Sequence, residues 1–438
     1  MLKKAISLKL NSTTGTALTL LAALAVSLTS CKKNEGDSAS PFGNRSTSAV
    51  SYATAATYPV KTITATDLDN GGTVVFDRDT VYEVSGVVYV TNNTTLEIQS
   101  GTYIKSSVNT PNVQNGVLVV SKDGTINAAG ESCNPIVFTS RYLLDGNPAT
   151  AAAPGDFGGI ILLGESTVNT ATGSSNIEGL TPSALTAFGG NTPADNSGVF
   201  KNVRIEYAGY KLADGIEVNG LTLGGVGSLT EINNVEVSWG LDDGFEFFGG
   251  TVSTSDLLAF SNDDDQFDFD LGYIGTLLNS TAIANKVSSH SASSGNSDSN
   301  GAEIDNNPTN FAAFPVTHPT FDNVRIIGAL NTSGVTPPGF KNGITVRRGG
   351  ELELYGSIVT GYNIGLRIDG NATPANTIVG STSLHGFTLA YDPNTFTDAG
   401  GNTYNNGATA FAYGITQPFW NESAFNADLN YCWAKFDY

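Results

Sequence analysis

The residues best placed for chemistry are acids that recur within a short motif along the second half of the chain. Each copy begins with a turn residue, usually followed by glycine, and continues with alternating apolar and polar residues. The copies are Asp214-Gly-Ile-Glu217-Val, Asp243-Gly-Phe-Glu246-Phe, Asp265-Gln-Phe-Asp268-Phe, Asn300-Gly-Ala-Glu303-Ile, Asn342-Gly-Ile-Thr345-Val and Ile364-Gly-Leu-Arg367-Ile. Aligning them predicts one column of polar residues from Glu217 to Arg367, and a second column beside it from Asp214 to Asn342. Regularly stacked carboxylates could bind a cation or exchange protons with a substrate.

An unrelieved column of carboxylates would destabilise the fold, because each close pair repels by roughly 1 kcal/mol or more. A bound cation, pairing with arginines of the chain, or exposure to solvent with partial protonation could each relieve this repulsion. Calcium takes about six to eight oxygen ligands, which suits the Asp-Asp runs of neighbouring copies. Its candidate ligands are Asp242, Asp243, Glu246, Asp264, Asp265 and Asp268. The candidate arginines are Arg204, Arg325, Arg347, Arg348 and Arg367.

The motif predicts a short β-strand that is entered through a tight turn. In such a strand Phe245 and Phe247 point into the core, so that Glu246 points outward, with Asp268 about 4.8 Å away on the next strand. A second strand precedes each motif, as in Asn234-Val-Glu-Val-Ser, and a third follows, as in Gly350-Glu-Leu-Glu-Leu. The pattern predicts an all-β fold, a right-handed parallel β-helix with three short strands per coil and with loop insertions such as 287–300 and 331–339.

Composition supports this fold class. The chain has 50 glycines, only 14% charged residues and one methionine, and it has almost no run with helical periodicity. Alternating β-branched and aromatic residues prevail instead. Because a solenoid adds coils to one continuous core, we expect residues 58–438 to form one β-helix domain.

The first residues predict export and lipid attachment. Lys3, Lys4 and Lys9 form a basic region, an apolar stretch covers 17–28, and small residues precede Cys31. Residues 1–30 therefore resemble a bacterial lipoprotein signal peptide, with cleavage before a lipidated Cys31. Ser, Thr and Ala dominate the residues that follow, so 31–57 is expected to be a flexible tether. Its first residues resemble sorting signals for the outer membrane and the cell surface.

Net charge limits the partners that the mature protein could bind, and the cysteines and Trp433 give two further expectations. Removing residues 1–30 deletes three lysines and no acid, which leaves 18 basic and 41 acidic side chains and a net charge of −23. Such a surface repels nucleic acid, so no nucleic-acid partner is expected. A disulfide between Cys133 and Cys432 is possible in an exported protein, but the two lie near opposite ends of the domain, so we expect two separate thiols. Trp433 is expected to cover the open end of the solenoid.

The N-terminal coils contain further distinctive sequence motifs. Asp156-Phe-Gly-Gly-Ile-Ile-Leu-Leu-Gly, Asn176-Ile-Glu-Gly, Asp195-Asn-Ser-Gly and Val226-Gly-Ser-Leu-Thr occur together with regular strands such as Pro135-Ile-Val-Phe-Thr-Ser. From about Val60 to the C-terminus the chain resembles a family of uncharacterised pectate-lyase-like β-helix surface lipoproteins of Bacteroidota. This resemblance implies a β-helix at the cell surface and brings no settled activity with it.

Enzymes with this fold carry catalytic sequence elements that can be compared with residues of this chain. Polygalacturonase-type hydrolases use an Asp-Asp pair, then His-Gly, then Arg-Ile-Lys. Here Asp242-Asp243 could be the pair, but His385-Gly386 follows Arg367-Ile-Asp369 instead of preceding it, and Asp replaces Lys. Lyases pair calcium with an arginine or lysine base, for which Arg347, Arg348 or Arg367 could serve. The candidate catalytic residues are thus Glu246, Asp268, Arg347 and Arg367.

Two functions remain open. The favoured one is a non-enzymatic lipoprotein, anchored in the outer membrane, whose lateral face binds glycan, matrix or a partner protein. The alternative is a calcium-assisted polysaccharide lyase or glycoside hydrolase that acts at the acidic column. An arginine within hydrogen-bond reach of a carboxylate cluster in a pocket would favour the enzyme, whereas a flat, exposed acid stripe would favour the binding protein.

Overall fold

The alternating sequence pattern forms short strands that are hydrogen-bonded in parallel from one coil to the next. Among the residues described, 28 strands belong to one continuous network, and every pairing in that network is parallel. Phe245 pairs with Phe267, 22 residues later, which is the coil length that the closest motif copies predicted. The prediction of a right-handed parallel β-helix with three strands per coil is confirmed.

This computed structural model describes residues 50–107, 115–209, 211–213, 216–284, 292–293, 296–297, 299–328, 342–393, 395–407 and 431–435. The predicted signal peptide, Cys31 and most of the predicted tether lie outside these residues. Within them, no helix combines the length and the hydropathy that crossing a bilayer requires.

The strands line up in three ladders, which we name sheets A, B and C. Sheet A consists of Val87–Val90, Val117–Val120, Gly159–Leu163, Leu221–Gly224, Phe245–Phe248, Phe267–Asp270, Ala302–Asp305, Asn342–Arg347 and the second parts of Ile358–Ile368 and Ser383–Asp392. Sheet B consists of Thr73–Phe76, Thr95–Ile98, Thr125–Ala129, the first parts of Gly198–Glu206, Glu231–Ser238 and Thr254–Phe260, then Thr276–Leu278, Thr320–Asp322, Leu352–Tyr355, Thr377–Gly380 and Thr397–Gly400. Sheet C consists of Val60–Ile63, Val81–Val84, Tyr103–Ser106, Ile136–Thr139, the second parts of Gly198–Glu206, Glu231–Ser238 and Thr254–Phe260, then Thr281–Ile283, Arg325–Ile327, the first parts of Ile358–Ile368 and Ser383–Asp392, and Thr403–Asn406.

Outside the ladders, the described residues include three small hairpins and three short helical turns. The hairpins pair Ser175–Asn176 with Ala187–Phe188, Lys211–Ala213 with Ile216–Glu217, and Ala292–Ser293 with Asn296–Ser297. The helical turns are Tyr52–Ala55, Arg141–Leu143 and Pro374–Asn376.

Inward-pointing side chains stack along the solenoid axis and form its core. Phe247 lies on Phe269 with ring centroids 4.7 Å apart, and Phe245 lies on Phe267 at 5.4 Å. All four rings are fully buried. Equivalent positions on successive coils thus bury apolar surface against one another, which stabilises each coil only through its neighbours.

Asparagines form a ladder at the bend between sheets B and C. Asn202, Asn234 and Asn323 all have a positive φ, between 50 and 55°. The side chain of Asn234 donates to that of Asn202 at 3.0 Å, and Asn202 donates to the carbonyl of Gly130 at 2.6 Å. Asparagine tolerates this left-handed backbone and also hydrogen-bonds along the stack, which explains why it opens several of the sheet C strands.

Replacing Asn234 tests these two contributions separately. Asn234→Ala should lower the free energy of unfolding by about 2 kcal/mol, because alanine disfavours a positive φ and cannot donate to Asn202. Asn234→Gly keeps the backbone conformation and should lose only about 1 kcal/mol. Urea denaturation of both variants measures the difference. Equal losses would mean that the left-handed conformation at this bend carries no cost.

Residues 50–57, which the sequence assigned to the tether, pack against the solenoid. Tyr52–Ala55 form one helical turn, Ala55 is fully buried, and the Tyr52 hydroxyl donates to Glu206 at 2.6 Å. The hydroxyl of Tyr103 donates to the carbonyl of Val50. Residues 50–57 therefore pack on sheet C, because their aromatic and small side chains fit there, and the predicted tether boundary at 57 is corrected accordingly.

The C-terminal segment corrects two further expectations. Cys432 is bonded to Cys133 across a sequence separation of 299 residues, so the prediction of two separate thiols was wrong. Trp433 is buried against Phe260 and Ile283 of sheet C, on the side of the solenoid and not at its open end. Both differences arise because residues 431–435 return along the lateral face, which no local pattern could indicate.

Candidate functional site: a buried acidic cluster on sheet A

The register of sheet A brings most of the predicted acidic column together. Glu246 pairs with Asp268, Asp268 with Glu303, and Glu303 with Thr345, which in turn pairs with Arg367. These pairings agree with the alignment of the motif copies. The candidate residues Glu246, Asp268 and Arg367 therefore lie on one column of successive strands.

Glu217 does not belong to this column, contrary to the sequence alignment. It lies in the small antiparallel hairpin formed with Lys211–Ala213. Thr222 pairs with Glu246 in its place. The sequence carried a signal for this, because Asn219-Gly-Leu-Thr-Leu matches Asn342-Gly-Ile-Thr-Val more closely than the Asp214 copy does. Asp214 lies outside the described residues, and Ile216–Glu217 precede the true sheet A strand Leu221–Gly224.

The turn residues form a second ladder beside the column. Asn219 accepts from the amide of Asp243 at 3.3 Å, and Asp243 accepts from the amide of Asp265 at 2.8 Å. Asp265 accepts from the amide of Asn300, whose side-chain oxygen accepts from Asn342 at 3.3 Å. These contacts fix the turn carboxylates next to the column, with Asn219 instead of Asp214 at the start.

The column points away from the core but is not an exposed stripe. Glu246 and Glu303 are each only 5% exposed, while Asp268 is half-buried. Residues 164–197 are inserted between a sheet A strand and the next sheet B strand, and they fold back over the outer face of sheet A. Their apolar side chains pack on outward-pointing residues of that sheet, in a cluster that includes Val119, Ile161, Leu163, Val168, Ile177, Leu180, Phe188 and Phe248.

Burial and mutual repulsion disfavour the charged forms of the clustered acids. Burial raises the pKa of Asp243 and of Asp265 well above the usual range, with neighbouring carboxylates adding to the effect. The pKa values of Glu246 and Asp268 are raised for the same two reasons. Burial also raises the pKa of Asp270, to about 7, with Asp305 as a further cause.

Two arginines border the cluster on one side. Arg347 forms ion pairs with Glu303 and with Asp305, whose Oδ1 lies 2.9 Å from its Nε, and Arg348 contacts the other oxygen of Asp305 at 2.5 Å. Burial opposes the charge of Arg347, but these carboxylates outweigh it and raise the pKa of the guanidinium. Arg347 therefore holds its proton firmly.

The other candidate cations lie elsewhere or are also paired. Arg367 forms ion pairs with Asp392 and, at 3.3 Å, with Asp369. Arg204 pairs with Glu206 on sheet C, and Arg325 also lies on a sheet C strand. Pairing with arginines thus reduces the repulsion between carboxylates near Glu303. The repulsion near Glu246 must be reduced in another way.

Three overlapping groups of carboxylates could hold a cation in this region. Within each group, the candidate ligand oxygens lie within 4.8 Å of one another. The groups are Asp242 with Asp243 and Asp264, Asp243 with Glu246 and Asp268, and Asp265 with Asp268 and Glu303. In addition, Oδ1 of Asp268 is buried and lacks a hydrogen-bond partner among the residues described. All six acids proposed as metal ligands from the sequence fall into these groups.

The hydrolase elements of the sequence do not meet at this site. His385 lies on the sheet C part of its strand, where it is fully buried and its Nδ1 is 3.2 Å from the hydroxyl of Thr360. Arg367 lies on sheet A. The His-Gly and Arg-Ile-Asp elements are therefore on different faces of the solenoid, and they form no common constellation with Asp242 and Asp243.

Three comparisons relate the chain to known proteins, and the family model is the one that supports the architecture. The crystal structure of full-length tailspike protein 2 from Escherichia coli O157:H7 bacteriophage CAB120 is similar over 77% of this chain, with 13% sequence identity and a TM-score of 0.33. The chain spans 38% of the length of that tailspike. No curated protein matches the chain. A family model described as a pectate-lyase-like β-helix domain matches residues 67–427. The chain therefore belongs to the family of pectate-lyase-like β-helix domains.

Proposed function

We propose that this protein is a non-enzymatic, lipid-anchored scaffold of the bacterial outer membrane, whose β-helix presents a lateral face to a glycan, to matrix or to a surface protein. Calcium held by the acidic cluster stabilises that face. Lipidation of Cys31 and a position at the cell surface of a member of the Bacteroidota are part of this proposal. The acids that the sequence left as a possible catalytic centre act here as cation ligands.

The observation that carries the proposal is that the arginines at the cluster are already engaged. A lyase needs a basic residue that gives up its proton readily. Arg347 has a raised pKa and is shared between Glu303 and Asp305, and Arg367 is shared between Asp369 and Asp392. Neither guanidinium has the environment of a base, so the carboxylates are better understood as a binding element.

Calcium fits the residues that remain. The donor groups are all carboxylates, and hard oxygen ligands suit calcium better than softer metals. Asp242, Asp243 and Asp264 would hold it at the turns, with Glu246, Asp265 and Asp268 completing the candidate set. Its charge would replace the protons that the buried carboxyls otherwise retain, and it would supply the partner that Oδ1 of Asp268 lacks.

Two features support export to an oxidising compartment. The bond between Cys133 and Cys432 is of a kind that persists in the periplasm and at cell surfaces but is rare in the cytosol. The sequence before Cys31 has the basic, apolar and small-residue regions of a lipoprotein signal. Together they favour attachment to the outer membrane through a lipid.

Two observations favour the enzymatic alternative, a calcium-assisted lyase or hydrolase. Arg347 lies within hydrogen-bond reach of Glu303 and Asp305, on a face that is not an exposed stripe, and one nearby acid is suited to proton transfer. The pKa of Asp270 is raised to about 7, in the range that suits a general acid near neutral pH. Asp270 is half-buried and lies two residues from Asp268 on the same face of its strand. A substrate that reached Asp270 would meet a carboxyl able to donate a proton near neutral pH, as the general acid of glycosidic hydrolysis must.

Calcium and glycan measurements on the full chain in detergent separate these alternatives. Saturating calcium should raise the melting temperature of chelator-treated protein by several degrees, since ligand at a hundred times its Kd stabilises by about 3 kcal/mol. Asp243→Asn combined with Asp268→Asn should remove this shift, whereas Asp398→Asn, which alters an exposed acid, should not. An unchanged melting temperature for the wild-type chain would refute the calcium site.

The same protein should bind members of a panel of acidic and neutral polysaccharides, or a surface protein, without releasing reducing or unsaturated ends. Product that depends on calcium and disappears in Glu246→Ala and Asp268→Ala variants would establish the enzyme instead. Equal product from the wild type and from these variants would indicate a contaminating activity, because both changes lie within the cluster.

A further inference from the structure

The C-terminal residues 431–435 form a strap across the outer face of sheet C. Trp433, 2% exposed, packs with four outward-pointing apolar residues of that sheet, which are Leu258, Phe260, Ile283 and Ile327. Tyr431 stacks on Trp433 with ring centroids 4.9 Å apart. On a sheet whose outer face would otherwise meet water, these apolar residues are covered by the strap.

The strap also reaches the N-terminal segment. The amide of Lys435 donates to Oε2 of Glu236 at 2.7 Å, and its ammonium lies 4.9 Å from the centre of the Tyr52 ring. The Tyr52 hydroxyl in turn donates to both oxygens of Glu206, at 2.6 and 2.7 Å. Glu206 is fully buried and also pairs with Arg204 at 3.0 Å. Both described ends of the domain therefore meet on sheet C.

A single covalent bond holds the strap in place among the described residues. Cys432, next to Trp433, is bonded to Cys133, which lies in the bend between a sheet B and a sheet C strand. Cys432 is exposed and Cys133 is half-buried, so a thiol from solution can approach the bond. The apolar contacts beneath the strap are extensive, but those of Trp433 come from one short segment, which would dissociate readily without the bond.

We propose that the bond between Cys133 and Cys432 is a redox-sensitive latch, a site of thiol–disulfide exchange that controls whether residues 431–435 cover sheet C. A thiolate of a dithiol reductant attacks the exposed sulfur of Cys432 and forms a mixed disulfide. The electron pair of the broken bond leaves on the sulfur of Cys133, which takes up a proton. The second thiol of the reductant then resolves the mixed disulfide, which releases Cys432 as a thiol and oxidises the reductant.

Opening the latch has two consequences on sheet C. Leu258, Phe260, Ile283 and Ile327 become accessible as one apolar surface, because Trp433 no longer covers them. Tyr52 loses its contact with Lys435, which loosens the helical turn Tyr52–Ala55 at the start of the domain. Reduction thus changes the surface at the point where the chain enters the solenoid.

Hydrogen exchange of the full chain in detergent, with and without dithiothreitol, tests the latch. We expect Cys133 and Cys432 to become alkylable under native conditions, as mapped by peptide mass, and the amides of 431–435 to exchange at least tenfold faster. Amides of Tyr52–Ala55 should also exchange faster, while those of the sheet B strand Thr125–Ala129 should not change. Binding of an apolar dye should increase in parallel.

The proposal fails if the two thiols appear only in denaturant, or if residues 431–435 stay protected after reduction. Cys432→Ser provides a variant that should be open without a reductant. If that variant does not fold, reduction of the folded wild-type protein still gives a decisive result. Accelerated exchange throughout the sheets would also contradict the latch, because it would mean that the bond stabilises the whole domain and not the strap.

Discussion

Replacing Arg347 by methionine should lower the free energy of unfolding at neutral pH by about 3 to 5 kcal/mol. Glu303 and Asp305 are 5% and 4% exposed, and Arg347 pairs with both. Removing one partner of a buried ion pair leaves an uncompensated charge in a poorly solvated place, which costs about that much. Methionine has a similar length and is apolar, so packing changes little and the loss reports on the charge.

Arg367→Met is the matched control, because Arg367 lies on the next strand of sheet A, opposite Thr345, and is about one-third exposed. Its partner Asp369 is more than half exposed, so the change should cost less than about 1 kcal/mol. Urea denaturation gives both values. Similar losses for both variants would show that burial does not strengthen the Arg347 pairs.

The coil plan could be predicted from the sequence because each strand repeats the same requirements. Phe245, Phe247, Phe267 and Phe269 must all point inward, and a slip of one residue would turn them to the outer face. This fixes the register of Glu246 against Asp268 without any structural information. The same argument failed at Glu217. The sequence Asp214-Gly-Ile-Glu217 resembles the motif, but Ile216–Glu217 pair with Lys211–Ala213 in a hairpin and not with a strand of sheet A.

Features that depend on distant segments could not be predicted. The column was expected to carry a cation, to pair with arginines of the chain or to face solvent, and its outward direction was correct. Residues 164–197 pack on the same outer face of sheet A, and their apolar residues, such as Ile177 and Phe188, give no sign in sequence of the face on which they pack. The bond from Cys133 to Cys432 likewise requires the chain to return along the solenoid, so sequence distance was a misleading guide to spatial distance.

The metal-free protein should become less stable as the pH rises from about 5 to 8. In an unfolded chain, Asp270 would titrate near pH 4, but in the folded protein its pKa is raised to about 7. Between these values the folded chain holds more protons than the unfolded chain, so stability falls by about 1.4 kcal/mol per pH unit for each such group. The pKa values of Asp243, Glu246, Asp265 and Asp268 are raised in the same direction and steepen the fall.

One buried group, His385, changes the stability in the opposite direction over part of this pH range. Burial lowers the pKa of His385, so its contribution to stability grows as the pH rises and is complete above about 6.5. Over pH 5 to 8 as a whole the decline should still prevail, because several carboxyls have raised pKa values and one histidine opposes them. Urea denaturation with a chelator across this range measures the slope. A stability that stays level or rises there would contradict the raised pKa values of the cluster.

Adding calcium and replacing Asp270 each test which groups cause the fall of stability with pH. Deprotonated carboxylates bind calcium and protonated ones do not, so the proposed cation should stabilise the protein more at pH 8 than at pH 5 and flatten the decline. Asp270→Asn should reduce the slope below pH 7 by the equivalent of one proton, and the exposed Asp398→Asn should leave it unchanged. A slope that calcium flattens would mean that proton and cation compete for the same carboxylates. A slope that responds to Asp270→Asn but not to calcium would retain the buried acids and remove the cation from the proposal.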